Sequence, residues 1–268
     1  MTTTYSIGGD LPVHRLGFGA MRLTGGPDRA TGIATARRAV DLGVQLIDTA
    51  DSYDFGENEE LLAEALHPYP ADLVIATKSG HVNLGHEWIP LGRPEYLRQQ
   101  AELSLRRLRL DTIDLYQLHR VDPTVPFADQ LGALRLLQEQ GKIRHIGLSQ
   151  VSLAQLVEAT RTTRIASVQN RYNLAERADD PIVDHCARNG IAFLPWLPIA
   201  PVNRAAGGTV AGIARQHSAT PSQIALAWLL HRSPAVLPIP GTSSAAHLTE
   251  NMAAAGIALT DQDMKALD

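Results

Sequence analysis

The sequence predicts an α/β architecture, a (β/α)₈ TIM barrel entered through a short N-terminal β-hairpin. Three observations carry that expectation. From Leu16 onward, short apolar runs alternate with amphipathic segments, giving eight strands alternating with helices. The length, 268 residues, suits the roughly 250 that eight βα units occupy. No linker or shift of composition divides the chain, so residues 1–268 are expected to form one barrel domain. A doubly wound sheet is the alternative, but that fold is normally cut into fewer strands per domain.

Residues 5–7 and 12–15 read as a hairpin joined through Gly8-Gly9-Asp10. Residues 16–23 follow as a first inner strand. They hold Gly17-Phe18-Gly19-Ala20-Met21-Arg22, an incomplete dinucleotide fingerprint with Arg22 at the third glycine position. Glycines in a strand also serve close backbone approach. The helix at 28–42 shows an apolar face of Ile33, Ala36, Val40 and Leu42 and stops at Gly43. Strand 44–49 and helix 58–67 come next, separated by a polar turn with Asp48, Asp51, Tyr53 and Asp54. Strand 73–78, the strongly amphipathic helix 94–108 and strand 113–118 follow. A helix at 127–140 closes on Gly141 before strand 146–149. Ser152 caps a helix that runs to Thr160, and 166–170 is again a strand. Helix 181–188 stops at Gly190 and leads into strand 191–197. Two helices, 210–217 and 222–232, precede the last strand at 235–239 and a long helix at 245–255. The final residues, from Leu259-Thr260-Asp261, fit a short helix and leave no long C-terminal loop.

Composition narrows the function classes. Hydrophobic residues make up 44% and charged residues 19%, enough apolar mass for a sizeable core. A formal charge of −4 without long runs of either sign gives no draw toward nucleic acid or an anionic membrane. The single cysteine, Cys186, excludes an internal disulfide and fits a reducing compartment. The first residues lack the pattern of a signal peptide, and no stretch approaches the ~18 apolar residues of a membrane helix. A soluble, cytoplasmic protein is expected, monomeric by default.

In such a barrel, the C-terminal strand ends build the active site. The second strand ends at Asp48, with Tyr53 five positions on; the third ends in Thr77-Lys78; the fourth runs into Gln117-Leu118-His119-Arg120. Each has a plainer reading: Asp48 as a turn cap, Tyr53 as a packed ring, Lys78 as a solvated strand end, His119 as a hydrogen-bonded core histidine. Together at successive exits, they point to catalysis.

These residues carry a family resemblance. Ile47-Asp48-Thr49-Ala50 with Tyr53, Glu60 and Leu66 resembles the first signature of the aldo-keto reductases. Later motifs follow in register: Thr77-Lys78, Ile113-Asp114-Leu115-Tyr116-Gln117-Leu118-His119, Gly147-Leu148-Ser149 and Gln169-Asn170-Arg171-Tyr172-Asn173. Ile239-Pro240-Gly241-Thr242 with Glu250-Asn251 resembles the family's adenosine end. The resemblance implies reversible reduction of an aldehyde or ketone by a nicotinamide cofactor. It makes Tyr53 the general acid, Lys78 its electrostatic partner, Asp48 the anchor of Lys78, and His119 the donor that orients the carbonyl. Whether that imidazole is neutral or charged stays open at this level.

The same resemblance places cofactor contacts at Gly19, Ala20, Met21 and Asp48 on one side of the mouth. Ser149, Gln150 and Gln169 fall near the nicotinamide carboxamide, although many relatives have Asn at the position of Gln150. Trp196 corresponds to a stacking ring or, on its own, to a core tryptophan. Leu197, Pro198 and Ile199 would pass under the pyrophosphate. Ile239, Gly241, Thr242, Ser243, His247, Glu250 and Asn251 would hold the adenosine end. Some relatives have Lys and Arg where this chain has Gly241 and His247, so NADP(H) is favoured and NAD(H) is possible. Asp54 replaces a common glycine and implies an altered turn.

Of the remaining features, His81 and His86 lack the further ligands of a metal site. The loop 81–92 is expected to line the substrate pocket, with Trp88 as an apolar wall beside Tyr53 and His119. Gly25-Gly26 and Gly207-Gly208 read as flexible connections, the second able to fold over the cofactor. Cys186 reads as a small buried side chain. Two function classes follow: a carbonyl reductase, or a cofactor-binding regulatory subunit on the same barrel. Aliphatic, aromatic and pyridoxal-like aldehydes are all compatible as substrates.

Overall fold

A two-stranded antiparallel hairpin, β1 (Thr4–Ile7) and β2 (Leu11–His14), opens the computed structural model, which describes residues 3–85, 87–200 and 204–267. Ile7, Leu11 and Val13 point inward and pack with Leu46, Val74, Leu115, Ala192 and Leu237 from the barrel interior. The hairpin therefore plugs the end of the barrel opposite the strand exits.

The barrel then follows the expected alternation. In chain order it comprises β3 (Phe18–Gly19), α1 (Arg29–Asp41), β4 (Leu46–Asp48), α2 (Glu57–Leu66) and β5 (Val74–Ser79). A second hairpin, β6 (His81–Asn83) and β7 (Trp88–Pro90), precedes α3 (Pro94–Leu108), β8 (Ile113–Leu118) and α4 (Phe127–Glu139). Next come β9 (Ile143–Ser149), α5 (Leu153–Thr160), β10 (Ile165–Gln169), α6 (Asp180–Asn189) and β11 (Ala192–Phe193). Four helices complete the chain: α7 (Arg204–Gln216), α8 (Pro221–Arg232), α9 (Ala245–Ala253) and α10 (Asp261–Leu267). Seven strands pair in parallel in the order β11-β10-β9-β8-β5-β4-β3. Among the described residues, no helix is long and apolar enough to cross a membrane.

The expected eighth strand, 235–239, is not a regular ladder strand. It still closes the barrel. Phe193 N donates to Ala235 O and Leu237 N to Phe193 O, both at 2.8 Å, while Gly17 N reaches Pro238 O at 2.9 Å and Gly19 N reaches Pro240 O at 3.2 Å. Pro238 and Pro240 have no N–H, so this segment accepts from β3 without building a full ladder. Buried Arg15 fastens the closure, its guanidinium donating to the carbonyls of Leu230, Ser233 and Val236.

Other expectations need correcting. The first inner strand shrinks from 16–23 to Phe18–Gly19 because Ala20–Arg22 form a single 3₁₀ turn. A Cβ on Gly19 would lie 2.8 Å from Ile239 O, and one on Gly17 would lie 2.9 Å from Leu46 O. These glycines admit neighbouring backbone, which removes the dinucleotide-fingerprint reading. The strand expected at 191–197 is only β11, since Pro195 interrupts it. Gly207 and Gly208 lie inside α7 and are not a flexible connection. The stretch after β5, read as a loop, folds into the β6–β7 hairpin.

Local signals explain the regular elements. Ser152 and Gln155 form a reciprocal capping box at α5, and Thr220 and Gln223 form another at α8, where Pro221 supplies the first residue. Each leaves fewer orphan N–H groups at a helix start. Cys186 is buried in the main core, as expected, in the same cluster as the stacked pair Tyr172–Trp228.

Candidate active site

Asp48 is the last residue of β4, Lys78 lies near the end of β5, and His119 follows β8 directly. Tyr53 opens the 3₁₀ turn Tyr53–Gly56 that links β4 to α2. In this turn, Asp54 and Phe55 both adopt left-handed conformations, with φ of 49° and 53°. An aspartate tolerates that region better than most residues. The Asp54 carboxylate accepts from Gly25 N at 2.7 Å, which pins the turn to the segment before α1. Buried Asn58 pins it from below: its Oδ1 accepts from Thr49 Oγ1, and its Nδ2 donates to the carbonyls of Ala20 and Leu23.

Lys78 is fully buried, and its Nζ makes three contacts. It donates to Asp48 Oδ2 at 2.7 Å, to Thr49 O at 2.6 Å and to Tyr53 Oη at 3.3 Å. The other Asp48 oxygen accepts from Gln169 Nε2 at 2.8 Å and Gln117 Nε2 at 3.1 Å. The pair therefore has the extra hydrogen bonds that a buried ion pair needs to persist. Burial alone would push Lys78 down, but Asp48 and Tyr53 hold its ammonium above the usual range. Burial pushes the Tyr53 phenol up, and Lys78 pulls it back without reversing the shift. The phenol thus stays protonated beside a fixed cation.

His119 stands edge-on to Tyr53, with ring centroids 5.9 Å apart, and edge-on to His81 at 5.0 Å. Burial, then Lys78, Arg120 and His81, hold its imidazole well below the ordinary range. The neutral form answers the question that the sequence left open. Its Nδ1 is buried without a partner among the described residues. His81 is likewise pushed down to about 4 by burial and Arg120. Neither imidazole should titrate near neutrality, so a pH profile of kcat/KM measured from about pH 6 to about pH 8 should show no inflection from them. An inflection lost in a His119→Gln variant would contradict the neutral assignment.

These groups open into one cavity of about 390 Å³. Asp48, Tyr53, His119, Ser149 and Gln169 line its floor, and His81 and Trp88 line one wall, their rings 5.0 Å apart. Gly19, Met21, Trp196, Leu197, Pro198 and Ile199 line the opposite side, with Ile239 and Gly241 between them. Other sequence-derived candidates lie elsewhere. Ala20 is buried beneath the turn, its carbonyl held by Asn58. Gln150 has φ of 53°, and its Oε1 accepts from Trp196 Nε1 at 2.7 Å and Arg171 N at 2.8 Å. It fixes the Trp196 ring rather than lining the cavity. Thr242, Ser243, His247, Glu250 and Asn251 lie beyond the cavity, in and before α9. Glu250 Oε1 is engaged by Thr220 Oγ1 at 2.7 Å, and Asn251 is buried. His86 lies outside the described residues. No group of three or more metal-ligating side chains occurs among the described residues.

Sequence reasoning missed Gln117 as a hydrogen-bonding partner of Asp48, and Arg22 and Arg120 as cavity-lining cations. Arg120 had a usable signal, its place right after His119 at a strand exit. It also missed a buried acidic pair next to the site. Asp51 donates its N–H to Lys78 O, while its carboxyl sits near Glu59, which is bound by Arg107 and Thr77. Burial, and then the Glu59 charge, raise Asp51 to about 7, and its Oδ1 has no partner among the described residues. A carboxyl whose folded pKa exceeds its unfolded value binds its proton more tightly when folded. Stability therefore falls as pH rises between the two values. Asp51→Asn removes this dependence and should gain about 3 kcal/mol over the wild type between about pH 5 and about pH 8. Denaturant midpoints at the two pH values check the gain; parallel curves would contradict it.

The chain matches the family model for the aldo/keto reductase family over residues 15–268. It is 46% identical over 268 residues to an uncharacterized oxidoreductase of Schizosaccharomyces pombe, covering 97% of this chain and 87% of the relative. It is 41% identical over 281 residues to pyridoxine 4-dehydrogenase of Escherichia coli, covering 100% of this chain and 98% of that protein. A crystal structure of an aldo-keto reductase from Klebsiella pneumoniae in complex with NADPH aligns with a TM-score of 0.87 at 28% identity, covering 100% of this chain and 94% of that one.

Proposed function

The chain belongs to the aldo/keto reductase family, and from that premise we propose that it reduces aldehydes or ketones to alcohols with a nicotinamide cofactor. NADPH is preferred over NADH, and the chain acts as one barrel domain. The observation that carries this reading is the contact of Tyr53 Oη with Lys78 Nζ at 3.3 Å, with Asp48 behind the ammonium and neutral His119 beside the phenol.

The residues around the cavity fit such a cofactor. Ser149 and Gln169 place polar groups on the floor, and Trp196, held by Gln150, gives a flat apolar face on the rim. The polar pair suits a carboxamide and the indole suits a planar ring, with Gly19 and Met21 at its edge. Leu197, Pro198, Ile199, Ile239 and Gly241 continue the rim toward Thr242, Ser243 and the start of α9. Hydroxyls and backbone N–H groups at a helix start suit phosphate oxygens. His247 and Asn251 lie further along that helix, and the NADPH complex of the Klebsiella relative supports the preference.

When bound, the reduced nicotinamide supplies a hydride to the carbonyl carbon. The protein handles the oxygen. His119 donates a hydrogen bond to the carbonyl oxygen and orients it toward Tyr53, and Tyr53 Oη delivers the proton as negative charge develops there. Lys78 stabilises the phenolate left behind, Asp48 fixes Lys78, and the phenolate regains its proton from water. The rings of Tyr53, His81, Trp88 and His119 favour a flat substrate, and the similarity to a pyridoxine 4-dehydrogenase supports heteroaromatic aldehydes.

The test is oxidation of NADPH and NADH, followed by absorbance, across aliphatic and aromatic aldehydes, ketones and pyridoxal. Turnover of aromatic aldehydes with NADPH ahead of NADH is expected. Tight NADPH binding with no turnover across the panel would replace this proposal with the cofactor-binding regulatory role.

A further inference from the structure

We propose that Arg120 is a specificity-determining residue that receives an anionic oxygen group on the carbonyl substrate, so that the site selects carboxylate-bearing aldehydes over neutral ones. The proposal rests on the carbonyl-reductase reading of this cavity. Arg120 is half-buried and lines the cavity directly beside His119. Its Nη1 donates to the backbone carbonyl of His119 at 2.6 Å and to Ser149 Oγ at 3.2 Å. Both acceptors are neutral, and both hold the guanidinium against the cavity floor. Among the described residues, no carboxylate forms an ion pair with it. Asp48, the carboxylate lining the cavity, is already taken by Lys78, Gln117 and Gln169.

A guanidinium has five N–H donors in a planar fork. With Nη1 committed to the protein, Nε and Nη2 keep one edge of the fork, the geometry that receives a carboxylate through two parallel hydrogen bonds. A half-buried cation without a counter-charge is costly, and burial pulls Arg120 down from its usual range. A substrate anion would remove that cost. The guanidinium acts at the reacting end of the cavity: its charge bears on Tyr53, His119 and His81. Arg22, exposed on the rim of the same cavity, adds a second cation, so the entrance favours anions as well. Arg120 rather than Arg22 is assigned because it adjoins the imidazole that orients the carbonyl.

The experiment compares wild type, Arg120→Gln and Arg120→Lys on 3-carboxybenzaldehyde and its methyl ester with NADPH. The readout is the carboxylate-to-ester ratio of kcat/KM. Arg120→Gln should lower this ratio at least ~10-fold, the scale of a charge-assisted hydrogen bond, and Arg120→Lys should recover part of it by restoring charge without the fork. Calorimetric binding of benzoate, benzamide and NADPH to the same three proteins supplies a readout that needs no turnover. Preference for benzoate over benzamide should be lost in Arg120→Gln while NADPH affinity holds. An unchanged ratio, or a loss confined to NADPH affinity, would overturn the proposal, the second by assigning Arg120 to the cofactor phosphates. If wild type turned over neither aldehyde, the reductase reading would fail, and the benzoate preference alone would decide the role of Arg120.

Discussion

Replacing Tyr53 by Phe should lower turnover of every carbonyl substrate by ~100- to ~10,000-fold, the span of a lost general acid, while NADPH affinity changes less than ~3-fold. The hydroxyl is the only group removed. Its hydrogen bond in the site is the one from Lys78 at 3.3 Å, and Lys78 retains Asp48 and Thr49 without it. The ring keeps its edge-on contact with His119, so the cavity keeps its shape. Folding stability should therefore stay near that of wild type. Burial keeps the phenol protonated and Lys78 eases its release, a combination that no neighbouring group reproduces, because His119 is held neutral. Steady-state kinetics with direct NADPH titration checks both halves. Substantial remaining turnover would assign the proton to another donor.

Asp48→Asn should cost about 3–5 kcal/mol of folding stability, as expected when one partner of a buried ion pair is removed. Three donors converge on the two Asp48 oxygens: Lys78 Nζ, Gln117 Nε2 and Gln169 Nε2. An asparagine turns one of those oxygens into a further donor and leaves the Lys78 ammonium buried without its counter-charge. The pH dependence separates this cause from mere misfit. In wild type the folded pKa of Lys78 is raised. Its contribution is therefore complete below the unfolded value near ~10.4 and disappears only as pH rises through the folded one. In the variant, burial is uncompensated and the folded pKa falls below the unfolded value, so stability rises with pH between the two. The deficit should narrow from about pH 7 to about pH 10, measured by denaturant unfolding. A deficit that is constant with pH would point to packing.

Why some of this was legible in the sequence is itself physical. The helix at 94–108 and the strand at 113–118 have the same ends in the structure as in the sequence reading. The helix starts at a proline, which suits a first turn, and the strand carries Ile113, Leu115, Tyr116 and Leu118 as four apolar residues of its six. Strand ends then placed Asp48, Lys78 and His119 at one mouth, because the barrel topology decides where each exit faces. What was not legible depends on partners distant in sequence. Prolines in 235–240 hid how the barrel closes, since a single backbone bridge to β11 or β3 leaves no periodic pattern. Gly207 and Gly208 are helical against their own propensity because α7 packs against both α8 and α10. Gln150 turns away from the cavity because its left-handed backbone aims the side chain at Trp196. That Arg120 has no counter-charge could be read only once Lys78, Gln117 and Gln169 were seen to occupy Asp48.

The measurement to make next is the fate of deuterium from NADPH labelled at both C4 positions, followed by mass spectrometry of the product. Wild type should transfer the label to the former carbonyl carbon of an aromatic aldehyde, and Tyr53→Phe should yield at least ~100-fold less labelled alcohol in the same time. Unlabelled alcohol from wild type, or equal label from both proteins, would contradict hydride transfer coupled to proton delivery by Tyr53.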